Sequence, residues 1–289
     1  MTAFFRSLRP LHLLLAALTY FLGASIADYL GNNFRAVPFW LGLLGVLLLQ
    51  LTMSLLPEIF RLDAEPPAKN ETRSGRQALR NNLLYVSIAS LASLVLIFYT
   101  LYAAKQLSFA SFLFPGISLA IILLYSLPPF QLVNRGFGEL LLAIHISYII
   151  PSIAFVVQAE DVHRFLALTV PLTFLAFSYF LVMNFQSFAQ DRKFGRVTLL
   201  THLGWERVVP LHHIFVLFAY IFFLAMPAFG LTLSLLAPAF ITLPFALYQI
   251  LQLRNISLGL PPNWKILHAT ALAVFGLTTY FLALTFWIR

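Results

Sequence analysis

Two polar stripes leave the apolar part of this sequence at the same spacing. In "MSLLPEIFRLDAEPP", Glu58, Arg61 and Glu65 lie three and four residues apart; in "NFQSFAQDRKFGRVTLLTHLG", Asn184, Ser187 and Asp191 repeat the interval. On a continuing helix that spacing puts each set on one face over about two turns, with Asp63 off the face. Carboxylates facing each other across a helical bundle suit Mg²⁺, a hard cation that takes oxygen ligands and bridges protein to a substrate diphosphate. The cations Arg192, Lys193 and Arg196 would assist from the same loop by neutralising charge on a departing diphosphate. The plainer reading is that these loops are solvated and their basic residues touch anionic lipid.

Such stripes need a bundle to hold them, and the composition supplies one. The chain has 289 residues, of which 61% are hydrophobic and only 10% charged, a balance foreign to soluble domains. Apolar residues run on for about twenty at a time, the length a helix needs to cross ~30 Å of hydrocarbon. We read nine spans, at 11–31, 37–57, 81–103, 107–127, 138–158, 164–185, 208–229, 231–251 and 266–288. A barrel would instead alternate over segments of about ten residues, so the fold class is all-α, a polytopic membrane protein with nine transmembrane helices. The first run is followed by many others, so residue 1 is read as mature rather than as the start of a cleaved signal peptide.

Lys and Arg divide unevenly between the two sides. With the N-terminus inside, Arg6, Arg9, Arg61, Lys69, Arg73, Arg76, Arg80, Arg135, Arg192, Lys193, Arg196, Arg207, Arg254 and Lys265 lie on the inner side, against Arg35, Lys105, Arg164 and Arg289 outside, fourteen of 18. The bias predicts a cytoplasmic N-terminus, an outer C-terminus and residence in a cell inner membrane. It also accounts for the formal charge of +8 through orientation and anionic lipid, without nucleic acid. The chain has no cysteine, which excludes disulfides and thiolate metal sites. The two long inner loops, 58–80 and 186–207, are four spans apart. Residues 1–289 therefore read as one domain, with a four-helix unit duplicated over roughly 11–127 and 138–251 and a ninth helix added.

The stretch "DRKFGRVTLLTHLG" resembles the signature of the UbiA prenyltransferase superfamily, in which a DxxDxxxD stripe leads into DRxxGxxTLxxxLG; Asp191, Arg192, Gly195, Thr198, Leu199, Leu203 and Gly204 match it. "LRPLHLLLAALTYFLGASIAD" is similar to the family's opening helix at Arg9, Pro10 and Gly23. "LYSLPPFQLVNRGFGELLLAI" is similar to its loop between the fourth and fifth helices at Tyr125, Ser126, Pro128, Pro129, Leu132, Gly136, Gly138 and Glu139. The resemblance implies nine helices around a central cavity, its mouth capped by cytoplasmic loops with Tyr125 beside it. It implies an enzyme that moves a prenyl chain from a prenyl diphosphate to a lipophilic acceptor, aromatic or quinone-precursor-like, with Mg²⁺ held by the two acidic stripes.

The departures fall on those stripes. Where the family has NDxxDxxxD this chain has Pro57, Glu58, Arg61 and Glu65, and where it has DxxDxxxD the chain has Asn184, Ser187 and Asp191. In the loop after the fourth span Gln131, Val133 and Asn134 stand where the family supplies basic residues, leaving Arg135. Two unit charges 4 Å apart interact by ~4 kcal/mol at an effective dielectric near 20, so a second Mg²⁺ beside Arg61 is disfavoured. Three arrangements stay open: one Mg²⁺ among Glu58, Glu65 and Asp191; Arg61 in place of a metal, contacting diphosphate through its planar fork; or Arg61 paired with Glu58 or Glu65 in a cavity that no longer binds diphosphate. The expected site is Arg61, Tyr125, Asn184 and Ser187 at the reacting centre, Arg135, Arg192 and Lys193 on the substrate, and Glu58, Glu65 and Asp191 on the metal. The alternatives are an inactive lipid- or quinone-binding or structural subunit, and a cyclase that ionises the same substrate without an acceptor.

Overall fold

The computed structural model describes residues 7–60 and 73–289, whose regular structure is all helical, without a strand. Among the described residues, eight helices are long and apolar enough to cross a membrane. In chain order the elements are α1 (Pro10–Tyr29), α2 (Ala36–Ile59), α3 (Arg73–Ala103), α4 (Leu113–Ser126), α5 (Gly138–Ala159) and α6 (Arg164–Phe185). Two short helices follow, α7 (Phe188–Lys193) and α8 (Leu199–Leu203), and then α9 (Trp205–Ala225), α10 (Leu233–Ser257) and α11 (Trp264–Ile288).

The spans read from the sequence recur, with two differences. The fourth is an α-helix of 14 residues, preceded by a 3₁₀ turn at Phe109–Phe112; at ~1.5 Å per residue it falls short of the hydrocarbon thickness on its own. The third begins at Arg73 rather than near 81, because Gln77, Ala78, Leu79 and Arg80 are good helix formers that extend an apolar helix into the polar zone.

Packing follows small residues. α1 lies against α5, α11 and α2; α2 lies against α3; and α6 lies between α5 and α9. Gly23 on α1 sits directly on the backbone of Pro151 on α5, where any Cβ would overlap the Pro151 carbonyl. Association of helices in lipid gains from such close approach because no hydrophobic effect drives it. Polar side chains are paired between helices: on α5, His145 meets Ser118 of α4 at 2.8 Å and Gln50 of α2 at 3.1 Å, and Tyr20 donates to the Phe39 carbonyl at 2.9 Å. α5 carries a π turn at His145–Ile149 and α11 another at Ala273–Leu277.

By connectivity, the start of α1, the ends of α2 and α4, the start of α5 and the end of α6 meet at one end of the bundle. The loops there are tied together. Gln131 Nε2 donates to the Phe60 carbonyl at 3.1 Å, and the Gly136 amide donates to Val197 O at 3.2 Å.

Candidate functional site

A cavity of about 220 Å³ opens where these helix ends meet. Arg9, His12, Tyr125, Glu139, Asn184, Arg196 and Thr198 supply its polar lining, and Val133, Leu142, Phe180 and Met183 its apolar wall. The volume is below the ~300–1,000 Å³ of pockets for drug-sized ligands, so it suits a head group and the atoms next to it rather than a whole lipid.

The local sequence explains how the two arginines reach it. Arg9 stands immediately before α1 in a left-handed conformation, with Pro10 as the first helical residue, a position that needs no amide donor. Arg196 follows Gly195, whose φ of 70° ends α7 in the left-handed region that favours glycine. The Arg196 amide closes that turn on the Asp191 carbonyl at 2.9 Å. Thr198 then caps α8, its hydroxyl accepting from the Thr201 amide while Thr201 accepts from the Thr198 amide. The "DRKFGRVT" run is thus a helix end, a turn and a helix start that turn Arg196 inward.

Each arginine has a carboxylate beside it. Arg9 Nη2 is 3.6 Å from Glu58 Oε1 and Arg196 Nη1 is 3.8 Å from Asp191 Oδ1. Both separations exceed hydrogen-bond length, so guanidinium donors are left for another acceptor. Burial opposes the charge on Arg9, yet Tyr125 and Glu58 outweigh it and hold its pKa above the ordinary arginine value.

Glu139 and Asp191 are nearly dry, at 4% and 7% exposed, and each has found partners. Glu139 Oε1 accepts from Asn184 Nδ2 at 2.5 Å and from the Leu199 amide at 3.1 Å. Asp191 Oδ2 accepts from Ser187 Oγ at 2.6 Å. Two buried atoms on the cavity residues lack a partner among the described residues, Glu139 Oε2 and His12 Nδ1. Unpaired polar atoms at such depth cost ~1–3 kcal/mol each, and they mark the positions where a ligand gains most.

Of the residues singled out from the sequence, Tyr125 and Asn184 line the cavity. Ser187 and Asp191 bond each other behind Arg196, and Glu58 lies beside Arg9. Arg192, Lys193 and Arg135 are exposed and outside the lining: Lys193 lies over the Phe194 ring and Arg135 donates to the Pro129 carbonyl at 2.6 Å. Arg61 and Glu65 fall outside the described residues. His12 was not singled out, although it stands three residues after Arg9, on the same helical face; Glu139 was noted only as a family match and Arg196 only as one of three loop cations.

Of the three expected Mg²⁺ ligands, Glu65 lies outside the described residues. No three His, Asp or Glu side chains among them gather as a metal-binding group; Glu58 and Asp191 each face an arginine, and Glu139 is held by amides.

No protein-family model and no curated protein matches the chain in sequence. Solved structures match it in shape. A UbiA homolog from Archaeoglobus fulgidus bound to GPP and Mg²⁺ superposes with a TM-score of 0.63 at 15% identity, covering 96% of this chain and 99% of that one. The same homolog bound to DMAPP and Mg²⁺ gives 0.61 at 15% identity, over 96% and 98%. An apo UbiA homolog from Aeropyrum pernix K1 gives 0.55 at 17% identity, over 92% and 95%. The likeness spans essentially the whole chain and is one of fold.

Proposed function

We propose, from the premise that this chain has the UbiA fold, that it is an intramembrane prenyltransferase. It seats a prenyl diphosphate in the cavity and transfers the isoprenoid chain to a lipophilic acceptor of the aromatic or quinone-precursor kind. The observation that carries this reading is the convergence of Arg9, Arg196, Tyr125 and Asn184 on one side of a cavity whose other side is Leu142, Phe180 and Met183. The fold neighbours bound to DMAPP and GPP support the substrate class.

The chemistry asks for what those two walls offer. When the allylic C–O bond breaks, negative charge gathers on the diphosphate oxygens, and donors already aimed there in a site of low dielectric stabilise it without reorganising. The guanidinium groups of Arg9 and Arg196 take that part, with the Tyr125 hydroxyl beside them. The apolar wall keeps water from the carbocation until the acceptor attacks and releases a proton. Ser187 and Asp191 act through Arg196, as positioning residues. The basic residues concentrated at this end of the bundle support a cytoplasmic mouth in an inner membrane.

A second reading is favoured by one observation. The described carboxylates near the cavity are all engaged by arginine, amide or hydroxyl groups, which suits a bundle that binds an isoprenoid lipid or quinone without turning it over. The assay that separates the two incubates purified protein with chain-labelled DMAPP, GPP and longer homologues together with a membrane lipid extract. Transfer of label into a new lipophilic product, lost in the Arg9→Ala, Arg196→Ala double variant, supports the transferase. Label converted without added lipid to a cyclic hydrocarbon or cyclic alcohol identifies a cyclase, whereas a linear alcohol marks only hydrolysis of the diphosphate. Unchanged substrate across all chain lengths removes the enzymatic reading.

A further inference from the structure

Resting on the diphosphate reading above, we infer that the cavity holds its anion on the Arg9 and Arg196 guanidinium groups without a divalent cation, and that Glu58 and Asp191 serve as anchors for those arginines rather than as metal ligands. The argument begins with the carboxylates. A Mg²⁺ site needs oxygen ligands at ~2.0–2.1 Å in near-octahedral array. Here Asp191 is nearly dry, with one oxygen taken by Ser187 Oγ at 2.6 Å and the other facing Arg196 at 3.8 Å. Glu58 faces Arg9 at 3.6 Å. Turning either carboxylate to a metal would set the metal's charge beside the arginine it now accompanies, a repulsion that grows in low dielectric.

The arginines are suited to the part a metal would otherwise take. Each guanidinium carries five donors in a planar fork that matches phosphate oxygens two at a time. At 3.6 and 3.8 Å neither carboxylate closes on its guanidinium as a two-pronged partner, so each carboxylate accompanies its arginine while donors of the fork stay available to an anion. Arg9 comes from the start of α1 and Arg196 from the turn after α7, so the two reach the cavity from different parts of the chain. Neutral polar groups are already in the lining: the Tyr125 hydroxyl, and His12 Nδ1, which is buried without a partner among the described residues. Arg192, Lys193 and Arg135 take no part, being outside the lining.

The test is calorimetric titration of the purified full chain in detergent with a prenyl S-thiolodiphosphate, which does not ionise, in EDTA and in Mg²⁺; inorganic diphosphate serves as a second probe. The inference predicts affinities in EDTA and Mg²⁺ that agree within about threefold, and a loss of tenfold or more in Arg9→Ala and in Arg196→Ala. Arg196→Lys regains part of that loss, which separates lost charge from misfolding, and Arg254→Ala, an exposed change outside the cavity lining, has no effect. Asp191→Asn retains binding in EDTA within about threefold. Affinity that disappears in EDTA, or that falls with Asp191→Asn while Arg196→Ala binds normally, overturns the inference and leaves the transferase reading intact. Metal-free binding with no product in the transfer assay does the reverse. No binding of either probe under either condition overturns both.

Discussion

Glu139 poses the sharpest question at the scale of single residues, because it places a nearly dry carboxylate in the cavity proposed to receive an anion. Its Oε1 is satisfied by Asn184 and the Leu199 amide, and its Oε2 has no partner among the described residues. Glutamine in its place keeps an oxygen for those two donors and presents an NH₂ to the cavity. Glu139→Gln is therefore expected to tighten binding of a prenyl diphosphate analogue by about tenfold, the ~1.4 kcal/mol of one removed repulsion; weaker binding would mean that the negative charge is itself required. Tyr125→Phe removes a hydroxyl while keeping the buried ring, and titration should register a loss of about three- to tenfold, in line with one hydrogen bond to a charged group at ~1.5 kcal/mol or less. These residues were only partly legible in the sequence. The stripes at 58–65 and 184–191 drew attention through their matched spacing, yet spacing along a helix does not say which side chain already has a partner. Asp191 reads as a ligand until Ser187 and Arg196 are seen around it. His12 and Glu139, each alone among apolar neighbours in sequence, gather meaning only when α1 and α5 meet.

Among the elements, the turn after α7 shows why a motif is matched without its role being evident. Gly195 has a φ of 70°, and a non-glycine residue there costs ~1–2 kcal/mol. Nothing lies within reach of an added Cβ, so Gly195→Ala is expected to fold, lower the thermal midpoint by a few degrees and misdirect Arg196, seen as weaker analogue binding in the same titration. A variant with unaltered affinity would detach the turn from the site. Gly23 is the opposite case, a close approach rather than a special φ. Its neighbour is the Pro151 backbone, which cannot move aside as a flexible side chain would. Gly23→Val should destabilise the bundle by ~1–3 kcal/mol or more, read as earlier thermal aggregation in detergent than Gly276→Ala, whose nearest neighbours are leucine side chains at 3.5 and 3.8 Å. Element positions themselves were legible, because a continuous apolar run of fixed minimum length is the strongest signal a sequence carries. The shortness of α4 was not: 107–127 is apolar throughout, but a 3₁₀ turn takes its first part, and hydropathy does not distinguish the two helix types.

For the molecule as a whole, the folded chain unites an all-helical bundle with a polar cavity at the end where its basic residues concentrate. The nine apolar stretches and their order could be read from composition, and the resemblance of three loop and helix motifs to the UbiA superfamily is matched by folds superposable over more than nine-tenths of this chain. The charge balance of the site could not be read in the same way, since it depends on which cations and anions are brought face to face. If the substrate reacts in this cavity, a photoreactive prenyl diphosphate should mark its lining. The most direct measurement is crosslinking with such a probe followed by peptide mapping. The account predicts adducts on residues 138–142 and 180–184 that vanish when excess inorganic diphosphate is present. Adducts confined to the groove between α10 and α11 around Phe245 and Leu277, undiminished by diphosphate, would contradict it.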